Sequence, residues 1–84
     1  MAKDLFIYKK RYIYWDKSQT QLCWEFTVKI NINNLLESLS GYSYYYYSNG
    51  IIMREGNHKD SKRDGLWRYY HRDGKLEGLE YYIR

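Results

Sequence analysis

Proline does not occur in the sequence, and cysteine occurs once, at Cys23. A single thiol cannot close an internal disulfide, so nothing in the chain calls for an oxidising compartment. No stretch is apolar for long enough to span a membrane, and the opening residues lack the apolar run of a signal peptide. A cytoplasmic protein is therefore expected. Charge of one sign is not concentrated anywhere. The formal net charge of +4 is shared between the two halves, with no basic tail and no acidic block. It gives only a slight pull toward anionic partners.

The constellations that carry chemistry are missing too. His58 and His71 have no second ligand at metal spacing, and Cys23 stands alone, so no zinc site is expected. Asp60, Asp64 and Asp73 fall in predicted turns, where short carboxylates serve the backbone. Around His71, Arg72 and Asp73 there is no nucleophile motif, no phosphate-binding glycine loop and no paired carboxylates. The sequence predicts no enzyme, no cofactor and no metal.

What the chain has in quantity is tyrosine, 12 among 84 residues. Tyrosine favours strands and presents a large surface with a polar tip, as interfaces tend to want. The length makes one domain whose core is only marginally sufficient.

The clearest strand signal runs from Leu22 to Ile32. Leu22, Trp24, Phe26, Val28, Ile30 and Ile32 share one face, and Cys23, Glu25, Thr27, Lys29 and Asn31 the other. Leu5–Trp15 is also rich in strand formers, but its alternation changes phase around Lys9-Lys10-Arg11, as a bulged or charge-protected edge strand would. With the polar turn Asp16–Thr20 between them, residues 5–32 read as one long hairpin. Asn33–Ser40 has the only helical character, a short connector capped by Asn34 that tucks Leu35, Leu36 and Leu39 under the sheet.

Beyond it the chain repeats itself. Gly41, Tyr45, Tyr46, Asn49, Gly50 and Ile52 recur as Gly65, Tyr69, Tyr70, Asp73, Gly74 and Leu76, a period of 24 residues. Asn49-Gly50 and Asp73-Gly74 between strand-forming runs are hairpin signals, with glycine supplying the positive φ. The expected elements are strands at Tyr42–Tyr47, Ile51–His58, Trp67–His71 and Lys75–Ile83, with a charged loop over Lys59–Gly65.

These residues resemble the bacterial variant of the MORN repeat (membrane occupation and recognition nexus), familiar from antitoxin-like proteins of the YwqK type. The better copy carries Asp64-Gly65, Trp67, Tyr69-Tyr70 and Asp73-Gly74-Lys75-Leu76; the poorer has Ser43 in place of the tryptophan. The resemblance covers the C-terminal half. It implies a repeat array of the kind found in scaffolds, lipid-associated proteins and toxin-neutralising proteins. The expectation is an all-β, antiparallel hairpin meander forming one domain over 1–84. Residues 1–40 make an N-terminal cap and connector, residues 41–84 the repeats, and there is at most one short helix near 33–39.

Two surfaces are candidates for binding. In the repeat strands Tyr45, Tyr47, Trp67, Tyr69 and His71 alternate with Tyr44, Tyr46, Arg68, Tyr70 and Arg72. Cross-strand packing accounts for most such rings. The arginine-bearing set is assigned to solvent, and its Tyr/Arg composition is that of interface hot spots, hence a partner-binding face. Lys9, Lys10, Arg11 and Tyr12 could contact phosphates, although a solvated edge strand explains the same residues without a ligand. Leu79–Ile83 is expected to be an open edge strand that pairs with its own copy in a homodimer or docks on the target.

The function expected is stoichiometric binding of a protein partner, as an antitoxin-like or phage-type anti-defence inhibitor. The alternatives are an anionic-surface module, for phospholipid headgroups or nucleic acid, and a self-associating structural scaffold.

Overall fold

The computed structural model describes residues 5–83. Seven strands, β1 (Phe6–Tyr14), β2 (Leu22–Asn31), β3 (Glu37–Leu39), β4 (Gly41–Tyr46), β5 (Ile52–Lys59), β6 (Lys62–Tyr70) and β7 (Leu76–Tyr82), form one sheet. The order is β1-β2-β4-β5-β6-β7, every pair is antiparallel, and β3 lies beside β2 on the side where β4 begins. Among the described residues there is no helix. The fold is all-β, a hairpin meander. Its dimensions, 53 × 36 × 11 Å, are those of a single layer.

Because facing residues in a ladder share a side, the register sorts the strands into two faces. One carries Trp24, Phe26, Val28, Ile30, Tyr45, Arg54, His58, Arg63, Trp67, Tyr69 and Tyr82; it is called here the tryptophan face. The other carries Tyr8, Tyr12, Tyr42, Tyr44, Glu55, Arg68, Leu79 and Tyr81, with Tyr46 and Tyr70 continuing it; this is the tyrosine face.

The core is small and sits on the tryptophan face. Trp67 is wholly buried, and Val28 and Ile30 are nearly so. The indole of Trp67 lies on the backbone of Gly56, where a Cβ would come within 2.2 Å of the ring. Its Nε1 donates to the carbonyl of Asn57 at 3.0 Å. From there a line of rings runs across the strands: Trp67 to Tyr45 at 6.2 Å between centroids, Tyr45 to Trp24 at 5.0 Å, and Trp24 to Phe26 at 3.9 Å. Among the described residues no second sheet or helix covers this line, and arginines do part of that work. The guanidinium of Arg63 lies 4.8 Å from the Trp67 centroid, that of Arg54 4.2 Å from Tyr45. Arg11 reaches from β1 across β2 to the Glu37 carboxylate at 2.8 Å, passing over the strand that holds Val28.

The 24-residue period holds down to single hydrogen bonds. Tyr47 N donates to Ile51 O at 2.8 Å and His71 N to Lys75 O at 2.8 Å; Gly50 N donates to Tyr47 O and Gly74 N to His71 O, both at 2.9 Å. Asn49 and Asp73 each accept from the backbone N–H two residues on. Gly50 and Gly74 have φ of 87° and 92°, the left-handed residue that closes a three-residue hairpin loop. The two loops stack, since Tyr47 donates its hydroxyl to Tyr70 O at 2.7 Å and Asn49 its amide to Arg72 O at 3.1 Å.

Three expectations change. Lys59–Gly65 is not a loop: β5 runs to Lys59, β6 starts at Lys62, and only Asp60 and Ser61 turn, both at positive φ. Strand pairing and the stacking of Arg63 on Trp67 hold charged residues that looked loop-like in isolation. Of the connector's leucines only Leu39 is tucked, half-buried opposite Val28. Asn31 and Asn34 side chains accept from Asn33 N and Leu36 N, forming tight turns that leave Leu35 and Leu36 74% and 70% exposed. Glu37–Leu39 then pairs with β2. In β1 the alternation is regular through Lys9–Arg11, and the register shifts later, at Ile13/Tyr14.

Candidate binding surfaces

On the tyrosine face, β4 projects Tyr42, Tyr44 and Tyr46 at every second position, with ring centroids 5.1 and 6.4 Å apart. The register places Tyr44 opposite Glu55, Glu55 opposite Arg68, and Arg68 opposite Leu79. Glu55 is the hub of this row. One carboxylate oxygen accepts from the Tyr42 hydroxyl at 3.0 Å, the other from Tyr70 at 2.6 Å. The bond to Glu55, with burial behind it, pushes the Tyr70 phenol up to about 12. Burial first, then Glu55, raises Tyr42; burial, then Glu25, raises Tyr46. These phenols stay protonated at neutral pH, and Tyr42 and Tyr70 act as donors. Arg68 is exposed, and its charge acts on both Tyr42 and Tyr70.

Four of the five residues assigned to this surface are therefore brought together: Tyr44, Tyr46, Arg68 and Tyr70. Arg72 is not among them. Strand β6 ends at Tyr70 and the chain enters the hairpin loop at His71, so alternation stops before Arg72, whose guanidinium lies 5.0 Å from the Tyr47 ring. Tyr42 and Glu55 belong to the surface and were missed. Counting the hairpin back from Asn49-Gly50 would have placed Glu55 opposite Tyr44.

Strand alternation divides the basic segment of β1. Lys9 and Arg11 lie on the tryptophan face, Lys10 and Tyr12 on the tyrosine face. Arg11 is engaged by Glu37, and Lys10 stands 3.9 Å from Glu25. The four residues make no single cationic patch.

On the tryptophan face, Ser43 is buried and its hydroxyl meets His58 Nδ1 at 2.9 Å. The His58 ring stands edge-on to Trp67 at 5.0 Å. Burial, and then the charge of Arg63, lower its pKa, so the imidazole is held neutral. One period on, the counterparts of Ser43 and His58 are Trp67 and Tyr82. Arg63 donates to the hydroxyls of Tyr69 and Tyr82 at 2.9 Å each. His71 is exposed at the far turn and Cys23 is half-buried on the other face, and no three His, Cys, Asp or Glu side chains cluster among the described residues.

The MORN repeat variant pattern matches residues 39–60 and again residues 63–84. The two matches start one 24-residue period apart and together span more than half of the sequence. The chain belongs to the MORN repeat variant family. In the structure the first MORN repeat is the β4–β5 hairpin and the second the β6–β7 hairpin. Such repeats are generally binding modules. No curated protein and no solved structure matches the chain.

Proposed function

We propose that this is a non-catalytic protein that binds one protein partner stoichiometrically through its tyrosine face and so neutralises or inhibits it. One observation carries the reading: Tyr42, Tyr44, Tyr46 and Tyr70 surround Glu55 and Arg68 on paired strands of a MORN sheet. Tyrosine and arginine on a rigid platform provide contact area at little ordering cost, the usual make-up of an interface centre. The divided basic segment of β1 supports an anionic surface as the target less well. An antitoxin-like or anti-defence role would be one form of this binding.

The experiment is affinity purification of the tagged chain from its native cell beside two variants, Arg68→Ala and Tyr70→Ala. A protein recovered at one-to-one stoichiometry with the native chain, and lost with both folded variants, supports the reading. Equal recovery with all three puts the binding surface elsewhere. The partner's own activity, assayed with and without the chain, then tests inhibition.

A further inference from the structure

In the order β1-β2-β4-β5-β6-β7, β1 and β7 each pair with a single neighbour among the described residues. Each therefore turns a row of backbone donors and acceptors outward, which is a template for another strand. The two edges differ in charge. β1 carries Lys9, Lys10 and Arg11 and no acid, whereas β7 carries Glu77 and Glu80 and no cation. Lys10 and Arg11 stand beside Glu25 and Glu37, but Lys9 is exposed and meets no carboxylate among the described residues. Glu80 is exposed too and accepts only from the Tyr82 hydroxyl, at 3.3 Å. Apolar side chains are open on both edges: Ile7 and Tyr8 are 52% and 65% exposed, Leu79 and Tyr81 56% and 70%.

We propose that β7 of one copy pairs with β1 of a second copy, joining copies head to tail into one continuous sheet. The topology allows this without a change of direction. Successive strands of the path are antiparallel, so β1 and β7 run opposite ways. A second copy placed alongside in the same orientation lays its β1 antiparallel to the first copy's β7, and each face continues into its own kind. A slip of one residue would exchange the faces. Only one face-keeping register seats all seven residues of β7 within the nine of β1. It sets Tyr82 opposite Ile7, Tyr81 opposite Tyr8, Glu80 opposite Lys9 and Leu79 opposite Lys10. Opposite charges facing each other across a seam are favourable, and like charges are not. Pairing β7 with its own copy would bring together two glutamates from each chain and no cation; pairing β1 with its own copy would gather three cations from each and no acid. A head-to-tail contact leaves one edge open at either end, so the assembly grows copy by copy unless its twist closes a ring. The row around Glu55 and Arg68 takes no part in it, so this inference and the tyrosine-face reading fail separately.

The test is sedimentation velocity of the full chain at rising concentration, beside Lys9→Glu, Glu80→Lys and an equimolar mixture of the two variants. The native chain should move steadily toward heavier species. Each variant alone sets like charges across the seam and should associate at least about fivefold more weakly. The mixture should associate as the native chain does, because each reversed side chain then meets its complement. A native chain that stays monomeric throughout overturns the proposal. So does a Lys9→Glu variant that assembles as well as the native chain, the result a β7–β7 dimer would give, or a mixture no better than its components. Should a charge variant fail to fold, cross-linking decides in a Cys23→Ser background. Tyr8→Cys mixed with Tyr81→Cys should give a disulfide-linked pair containing one of each under mild oxidation. Tyr81→Cys linking equally well to itself, or no mixed pair, overturns the seam.

Discussion

On the tryptophan face, Arg54 and Arg63 lie over Tyr45 and Trp67 and serve as packing material. On the tyrosine face, Arg68 stands exposed beside phenols whose hydroxyls converge on Glu55. Both faces draw on arginine and aromatic side chains, yet one closes the fold and the other presents a surface. The difference lies in the partner strand. Gly56 lets the Trp67 ring settle onto backbone, whereas across from Arg68 the neighbouring position is Glu55, which holds rings by their polar tips. A one-layer sheet thus gains a substitute for the second layer that most domains have. A side chain's role here is set by the strand opposite it more than by its own identity.

Variants on the two faces should fail in different ways. Trp67→Ala is the largest expected effect. Removing the one large side chain that is fully buried among the described residues should cost about 3–5 kcal/mol of stability, read from urea denaturation. Gly56→Ala follows, since its methyl group would enter the space of the indole. Overpacking of that kind should cost about 1–3 kcal/mol, and paired with a smaller ring at position 67 the loss should shrink. On the tyrosine face, Tyr70→Ala should weaken partner binding by about 2 kcal/mol or more.

A smaller effect concerns pH. His58 is buried, and its pKa lies below the ordinary 6.5 of the unfolded chain. Between 6.5 and that lower folded value the unfolded chain binds more protons, so stability falls as pH drops through this window and is complete above it. Melting temperatures recorded from pH 7.5 downward should fall in the native chain and flatten there in His58→Gln. His71→Gln, changed at an exposed turn, should behave like the native chain.

Much of this arrangement was legible in the residues. Strict alternation from Leu22 to Ile30 fixed the packed side of β2, and Gly50 and Gly74 marked loops that only glycine makes cheaply. The period of 24 anticipated the matching hydrogen bonds of the two repeats. What could not be read depended on neighbours distant in sequence. Lys62-Arg63-Asp64 looks like a solvated loop until Trp67 offers Arg63 a ring to cover. Leu35 and Leu36 look like core until the Asn31 and Asn34 side chains turn the backbone and leave them outside. Arg72 falls in with Tyr44 and Tyr46 only if the strand continues past Tyr70, and the hairpin loop closed by His71 and Lys75 ends it there.

The division between the faces is tested most directly by Arg68→Ala, measured for stability and for partner affinity in the same preparation. Arg68 is exposed and makes no part of the packed line of rings, so its loss should leave the unfolding free energy within about 0.5 kcal/mol of native. Affinity for the one-to-one partner should fall by about 2 kcal/mol, roughly thirtyfold. A folded Arg68→Ala protein that binds its partner at full strength would contradict the account, and so would one whose stability collapses as Trp67→Ala is expected to.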